Sequence, residues 1–301
     1  MNSHRPSRSS FTTIRGLRYH LREWGPSGAG PERTLFMLHG WMDVSASFQF
    51  VVDALDPHWR VVAPDWRGFG LSEWTRGDCY WFPDYAADLE CIVAAVQGDA
   101  PAHLIGHSMG GNIAMMYAGA RPARVRTLVN LEGFGLHATH AAQAPARLAQ
   151  WLDELKTGGS LRDYGSRDEV AARLQKNNAR LLAERAAFLA DHWAEPDGSG
   201  RLRVAGDPAH RIVNPVLYRL DEAMACWKAI TAPALMVLAA DTDALRHVAP
   251  DRAQALAEVQ RRLATVPGAE QATIAAAGHM LHHDQPEAVA RLIKDFLRRR
   301  G

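Results

Sequence analysis

Cysteine is scarce in this chain. Three thiols, Cys79, Cys91 and Cys226, stand among 301 residues. An odd, widely spaced set gives neither a disulfide framework nor a zinc site. Net charge is nearly missing too: 34 basic against 33 acidic residues leave a formal +1. No strong field selects nucleic acid or an anionic membrane surface. No apolar run approaches the roughly 20 residues that a membrane span needs. The opening segment MNSHRPSRSSFTT lacks the apolar centre of a signal peptide. It carries arginine and serine without acids, as transit sequences do, but no amphipathic helix follows. It is expected to begin without order, and the chain is expected to be cytoplasmic. The run Arg298 to Arg300 reads as a solvated helix end, where basic side chains suit the dipole. Nothing in the sequence speaks to oligomeric state.

What is present is ordinary globular material: 47% hydrophobic and 22% charged residues. The length suits one large domain or two small ones. Short apolar runs at 34–40, 60–65, 102–107, 126–133, 234–240 and 272–278 end in Gly, Asp or His. Their continuous hydrophobicity is what parallel strands covered on both faces require. Helical patterns alternate with them, at 85–97 and 111–120. The expectation is an α/β fold with a mostly parallel, doubly wound sheet. The last helix is expected to be capped by Asp284, with Pro286 in its first turn and Glu287 completing a capping box. Its apolar face is Val289, Leu292, Ile293, Phe296 and Leu297.

The alternation breaks between about 136 and 228. ARLAQWLDEL reads as a helix with Leu148, Trp151, Leu152 and Leu155 on one face, and the stretch from Arg167 to Trp193 also reads as helical. Asp197-Gly198 marks a turn. No strand of the earlier type is evident. The expected organisation is a core of 1–135 and 229–301 with a helical cap, 136–228, inserted in it.

Within LIGHSMGGN, Ser108 lies at the centre of Gly106-His107-Ser108-Met109-Gly110, between a strand and a helix. A hydroxyl becomes a nucleophile only with a base beside it. Strand, G-x-S-x-G, helix is the pattern of a nucleophile elbow. Small residues at Gly106 and Gly110 let strand and helix approach, and the helix start aims N–H groups at developing negative charge. His107, next in the turn, points elsewhere and is read as structural.

The base should follow a late strand, where open α/β sheets assemble their sites. Of 14 histidines, His279 in AAAGHMLHHDQPEAV fits, after a strand and a glycine and before the last helix. His279 and His283 also stand at i and i+4, as metal ligands can. With no H-E-x-x-H and no acidic ligand cluster, a metal is not expected. The orienting carboxylate should end another late strand, and LMVLAADTDAL offers Asp241 and Asp243. The order Ser, Asp, His suits this architecture. The second oxyanion N–H is expected from Trp41 in LHGWMD, joining that of Met109. His39-Gly40 is expected to shape that loop through its backbone, or to be a plain strand-ending turn.

Together, LHGW, PDWRGFGLSEW, GHSMGG, the late aspartates and GHMLHHDQPEAV resemble the α/β-hydrolase superfamily, across nearly the whole chain. The resemblance implies an α/β-hydrolase fold and makes Asp65, Arg67 and Ser72 scaffold. It places the acid three residues after a usual glycine. Ala240 stands at that glycine position, and counting on selects Asp243 over Asp241. The HGW segment and the wide insertion look like capped, esterase-type members, including serine hydrolase-like proteins.

The function expected is a serine hydrolase cleaving a small to medium, mostly uncharged carboxylic ester through an acyl-enzyme. Its triad would be Ser108, His279 and Asp243, with no cofactor and no nucleic-acid or membrane partner. The same triad could serve a carbon–carbon bond hydrolase or a lactonase, and a non-catalytic ligand-binding role is the remaining alternative. Met42 and Phe134, and as lesser candidates Trp81 and Phe82, are expected to line the substrate pocket, although each aromatic could equally be core. Glu132, ending the strand in LVNLEGFG, could face the site as a polar substrate contact or be structural.

Overall fold

The computed structural model describes residues 4–301. Its main sheet has eight strands: β1 (Ser7–Ile14), β2 (Leu17–Trp24), β3 (Thr34–Leu38), β4 (Arg60–Pro64), β5 (Ala102–His107), β6 (Val125–Leu131), and, after the insertion, β10 (Ala234–Ala239) and β11 (Glu270–Ile274). Their spatial order is β1-β2-β4-β3-β5-β6-β10-β11. β1 pairs antiparallel with β2, and β2 antiparallel with β4. Every other neighbour is parallel. Five of the apolar runs become β3 to β6 and β10; the sixth, 272–278, overlaps β11 only at 272–274, because β11 is an edge strand in which Ile274 alone is buried. The opening hairpin is a correction: the chain is ordered as strand from Ser7. Its polar residues form an edge strand exposed on one side, and such a strand lacks the continuous apolar signature.

The central strands show why parallel strands read as unbroken apolar runs. Every residue of β3, β5 and β10 is buried. Alternate residues serve opposite faces. Phe36, Leu38, Leu104, Leu128 and Met236 join one core cluster, together with Leu89 and Ile92 of α2 (Phe82–Gln97) and Ile113 of α3 (Met109–Ala120). Leu35, Met37, Ile105, Val129 and Val237 join the other, with Val51 of α1 (Gln49–Ala54) and Ile293 of α10 (Pro286–Arg300).

The last helix buries Val289, Ile293, Phe296 and Leu297 as expected, with Leu292 at the margin. Its cap differs. The helix starts at Pro286 after Gln285 without a side-chain cap. Asp284 instead accepts hydrogen bonds from Gly278 N–H (2.8 Å) and Asn178 Nδ2 (2.7 Å).

Between β6 and β10 lie α4 (Ala144–Thr157), β7 (Asp163–Tyr164), α5 (Arg167–Asn177), α6 (Ala183–Trp193), β8 (Ala194–Pro196), β9 (Leu202–Val204) and α7 (Leu220–Lys228). The strands form a separate antiparallel sheet, β7-β9-β8. At two or three residues each they carry no periodicity to read. The expected face of α4 is not a core face: none of its residues is buried, and Leu148 and Leu152 are exposed. α7 differs from its neighbours. Its Ala223 and Trp227 belong to the main core, and a Cβ at Gly119 of α3 would stand 1.9 Å from the Cys226 carbonyl oxygen. α8 (Arg252–Leu263) and the single turn α9 (Leu281–Asp284) complete the chain. Among the described residues no helix is long and apolar enough to cross a membrane.

Candidate active site

Ser108 sits at the turn from β5 into α3 with φ +53°, a backbone region that residues with a Cβ seldom adopt. The turn is enforced by contact. A Cβ at Gly106 would lie 2.4 Å from the Gly110 carbonyl oxygen, and one at Gly110 would lie 2.1 Å from that of Leu38. Only glycine lets strand, turn and helix meet so closely. The turn lifts the Ser108 hydroxyl toward the loop that follows β11.

That loop carries His279. Its Nε2 lies 3.0 Å from Ser108 Oγ. Its Nδ1 lies 3.2 Å from Glu132 Oε2. With Nδ1–H donating to the carboxylate, Nε2 is left free to accept the serine proton. His107 steadies the loop from below, its Nε2–H donating to the His279 carbonyl at 2.8 Å. Burial first, then the neighbouring histidines, holds the His107 pKa well below its ordinary value, so this ring is neutral and structural.

The carboxylate is where the structure departs from the sequence reading. Asp243 does not face His279: its side chain is 64% exposed and pairs with Arg246. Asp241 is likewise at the surface, 2.8 Å from Arg180 Nη2. Glu132 takes the place. It follows β6 with φ +61°, and its side chain is fully buried. Oε1 accepts the Ala239 N–H at 2.7 Å. Oε2 accepts the Thr242 hydroxyl and the His279 imidazole. The end of β10 thus supplies donors to the acid instead of the acid itself. The available signal was Glu132 itself, an acid directly ending a buried strand.

The loop after β3 passes over Ser108. A Cβ at Gly40 would meet Ser108 Cβ at 3.3 Å. His39 holds this loop by its side chain as well as its backbone. Trp66 N–H donates to His39 Nε2 (2.9 Å), and His39 Nδ1 donates to the Gly40 carbonyl (2.7 Å). Burial lowers the His39 pKa, against the pull of Asp43 and Asp65. Met42 in this loop has φ +56°, and its carbonyl accepts from Trp193 Nε1 of α6 at 2.8 Å. Three of the residues with left-handed backbone, Met42, Ser108 and Glu132, therefore belong to this one region, as strained conformations at functional sites tend to. Met109 is the first residue of α3, so its N–H has no intrahelical partner. The Trp41 ring is 47% exposed, with the Arg211 guanidinium 5.6 Å above it.

The remaining aromatic candidates are dispersed. Phe134 is buried in the main core. Trp81 is exposed just ahead of α2, and Phe82 packs at the core margin against Tyr85. A cavity of about 220 Å³ lies elsewhere, lined by Arg22, Ser45, Asp65, Arg167 and His192 among others.

Asp65, Arg67 and Ser72 hold the loop after β4. Asp65 accepts from Ser45 N–H (2.6 Å), Leu71 N–H (2.9 Å) and His20 Nδ1 (2.7 Å). Although burial opposes it, this set keeps the Asp65 pKa far below the carboxylate range. Ser72 Oγ donates to the Asp65 carbonyl. Arg67 makes a paired contact with buried Asp88, at 2.5 and 2.6 Å.

A family model described as "alpha/beta hydrolase fold" matches residues 33–286. A serine hydrolase-like protein of Danio rerio is 28% identical over 285 residues, spanning 91% of this chain and 83% of its own. Among solved structures, a hypothetical protein from Pseudomonas aeruginosa PAO1 superposes with TM-score 0.82 at 26% identity, covering 96% of this chain and 99% of that one. The thioesterase domain of the curacin biosynthetic pathway superposes with TM-score 0.80 at 24% identity, over 96% and 99% of the two chains. At that identity it shows the likeness of fold alone.

Proposed function

The chain belongs to the alpha/beta hydrolase fold family, and from that premise we propose that it is a serine hydrolase of small to medium, mostly uncharged carboxylic esters. The observation that carries this reading is the continuous line Ser108 Oγ, His279 Nε2, His279 Nδ1, Glu132 Oε2, with links of 3.0 and 3.2 Å. His279 takes the proton as Ser108 Oγ attacks the ester carbonyl. The Met109 and Trp41 N–H groups receive the oxyanion. His279 then protonates the leaving alcohol, and the acyl group stays on Ser108. A water, deprotonated by the same imidazole, attacks the acyl-enzyme and frees the acid. Glu132 fixes the imidazole tautomer and stabilises the imidazolium that forms twice in each cycle.

Residues 136 to about 219 act in this reading as a lid over the strand ends. Lids exclude water and govern substrate choice. The support is a set of ties from the insertion to the loops around the site. Trp193 bonds to Met42. His210 stacks between Phe69 and Tyr80 at 3.7 and 3.6 Å. Arg180 pairs with Asp241. α7 is left to the core.

The test is hydrolysis of p-nitrophenyl esters of graded acyl length, with Ser108→Ala and His279→Ala as controls and a fluorophosphonate to label Ser108. Turnover lost in both variants, with Ser108 labelled in the parent, is the expected result. A labelled serine without ester turnover moves the assignment to a carbon–carbon or lactone substrate on the same triad. No label and no turnover sinks the hydrolase reading in favour of ligand binding.

A further inference from the structure

The turn that carries His279 continues into two more histidines that the proposed reaction does not use. α9 buries His282 and His283 completely, and Asp43, from the loop after β3, is buried against them. One ligand-capable atom from each of the three lies within 4.8 Å of the others. His282 Nε2 is 3.7 Å from Asp43 Oδ2 and 3.3 Å from Ser47 Oγ. His283 Nε2 reaches the same hydroxyl at 2.5 Å. In a tetrahedral site with bonds of ~2.0–2.1 Å, neighbouring donor atoms stand about 3.3 Å apart. The His282–Asp43 pair is near that spacing, and drawing all three donors inward from within 4.8 Å would complete it.

A purely structural role would satisfy its polar atoms, and this cluster does not. Asp43 Oδ1 accepts the Val44 N–H, but Asp43 Oδ2 and His282 Nδ1 are buried without a hydrogen-bond partner. A buried carboxylate oxygen left bare costs free energy that folding must recover elsewhere. Apolar rings lie beside the cluster, Phe48 5.4 Å from His282 and Phe50 6.1 Å from His283, centroid to centroid, and Arg185 Nη1 donates to the His283 carbonyl at 2.6 Å. Two imidazoles and one carboxylate, dry and converging, suit a borderline transition ion and not the oxygen-only shells of calcium or magnesium.

We infer that Asp43, His282 and His283 form a second site, separate from the triad, that binds a divalent transition metal of the zinc class. Its ligands are Asp43 Oδ2 and the Nε2 atoms of His282 and His283, with Ser47 or a water completing the shell. The sequence pairing of His279 with His283 does not describe it. His279 faces Ser108, and His283 faces His282, with ring centroids 4.1 Å apart. The His107 ring, 4.2 Å from His282 and 4.9 Å from His279, separates the two sites.

The test uses the whole chain stripped with a chelator. Zinc is titrated against a chromophoric competitor, and cobalt(II) is followed by its visible d–d bands. One equivalent should bind, with a low-symmetry cobalt spectrum, and affinity should fall at least about tenfold on losing a ligand in Asp43→Asn and in His283→Gln. Cys226→Ser should bind as the parent does. A parent that takes no ion, or ligand variants that bind unchanged, overturns the site. Should a variant fail to fold, zinc X-ray absorption on the parent decides: a shell of two imidazoles with oxygen supports it, and sulfur ligation overturns it. None of these readouts depends on hydrolase activity.

Discussion

Glu132 and His279 lie 147 residues apart in sequence and meet at 3.2 Å. The contact joins the end of β6 to the loop after β11, across the intervening strand β10. The Ala239 N–H at the end of β10 and the Thr242 hydroxyl just beyond it hold the carboxylate so that one oxygen faces the imidazole. The arrangement predicts that Glu132→Gln lowers kcat by about 1,000-fold or more, because the amide no longer selects the tautomer that leaves Nε2 free. Asp243→Asn, on the surface, should leave kcat within about twofold of the parent. Steady-state ester hydrolysis checks both. A large loss in Asp243→Asn with little in Glu132→Gln would reverse the assignment.

A Ser–His–Asp line exists elsewhere in the fold. Ser9 Oγ is 2.9 Å from His20 Nε2, and His20 Nδ1 is 2.7 Å from Asp65 Oδ2. Bond order alone does not make it a nucleophile. Ser9 lies in an ordinary antiparallel strand, with no helix start behind it. Ser9→Ala should therefore keep full turnover and full fluorophosphonate labelling, whereas Ser108→Ala should lose at least about 1,000-fold in kcat and all labelling. Label recovered on the Ser9 peptide by mass spectrometry would contradict this.

Acid should weaken the fold at mild pH. Burial, the leading cause in each case, holds His103 and His192 at about 4 and His210 and His283 at about 3. An unfolded histidine titrates near 6.5. As pH falls from about 6.5 to about 4, the unfolded chain takes up protons that the folded chain refuses, so stability declines. The decline levels off below the folded values. Asp43 and Asp65, with lowered pKa values, act in the same sense but only in the carboxylate range, below about 4. Their stabilisation is present above that range and lost beneath it. Tm measured at steps from about pH 7 to pH 5 should drop steadily; a flat profile would show that these imidazoles are not buried neutral.

Asp88 concentrates much of the scaffold's polar binding. Its side chain is fully buried beneath Arg67, itself 9% exposed, and it also accepts from the Tyr19 hydroxyl and from Arg15. Asp88→Asn leaves the Arg67 guanidinium with only the longer contact to Asp84, 3.3 Å away, a loss of about 3–5 kcal/mol. Urea unfolding followed by far-UV circular dichroism measures it, and a shift below about 1 kcal/mol would place the pair among ordinary surface contacts.

The five inner apolar strands, the elbow glycines, Ser108 and His279 were legible because each rests on local chemistry. Strands buried on both faces read as unbroken apolar runs, and Gly106 and Gly110 mark a close approach that only glycine permits. The opening hairpin and the three short strands of the insertion lack that imprint. An edge strand can be polar, and a strand of two or three residues has no period. Leu148 and Leu152 show the reverse case, an apolar spacing on α4 that the fold leaves in solvent.

The sequence by itself determined the alternation of strand and helix, the glycine-flanked turn that carries Ser108 and the loop that bears His279. Those follow from hydrophobic period and from glycine, which act over a few neighbouring residues. Only the tertiary structure decided which carboxylate faces His279, and with it the separate gathering of Asp43, His282 and His283. Counting along β10 selects Asp243, but the side chain there turns outward to Arg246. Glu132 reaches His279 because β6, β10 and β11 lie side by side in the sheet. That adjacency is a property of strand order, and no spacing within one strand contains it.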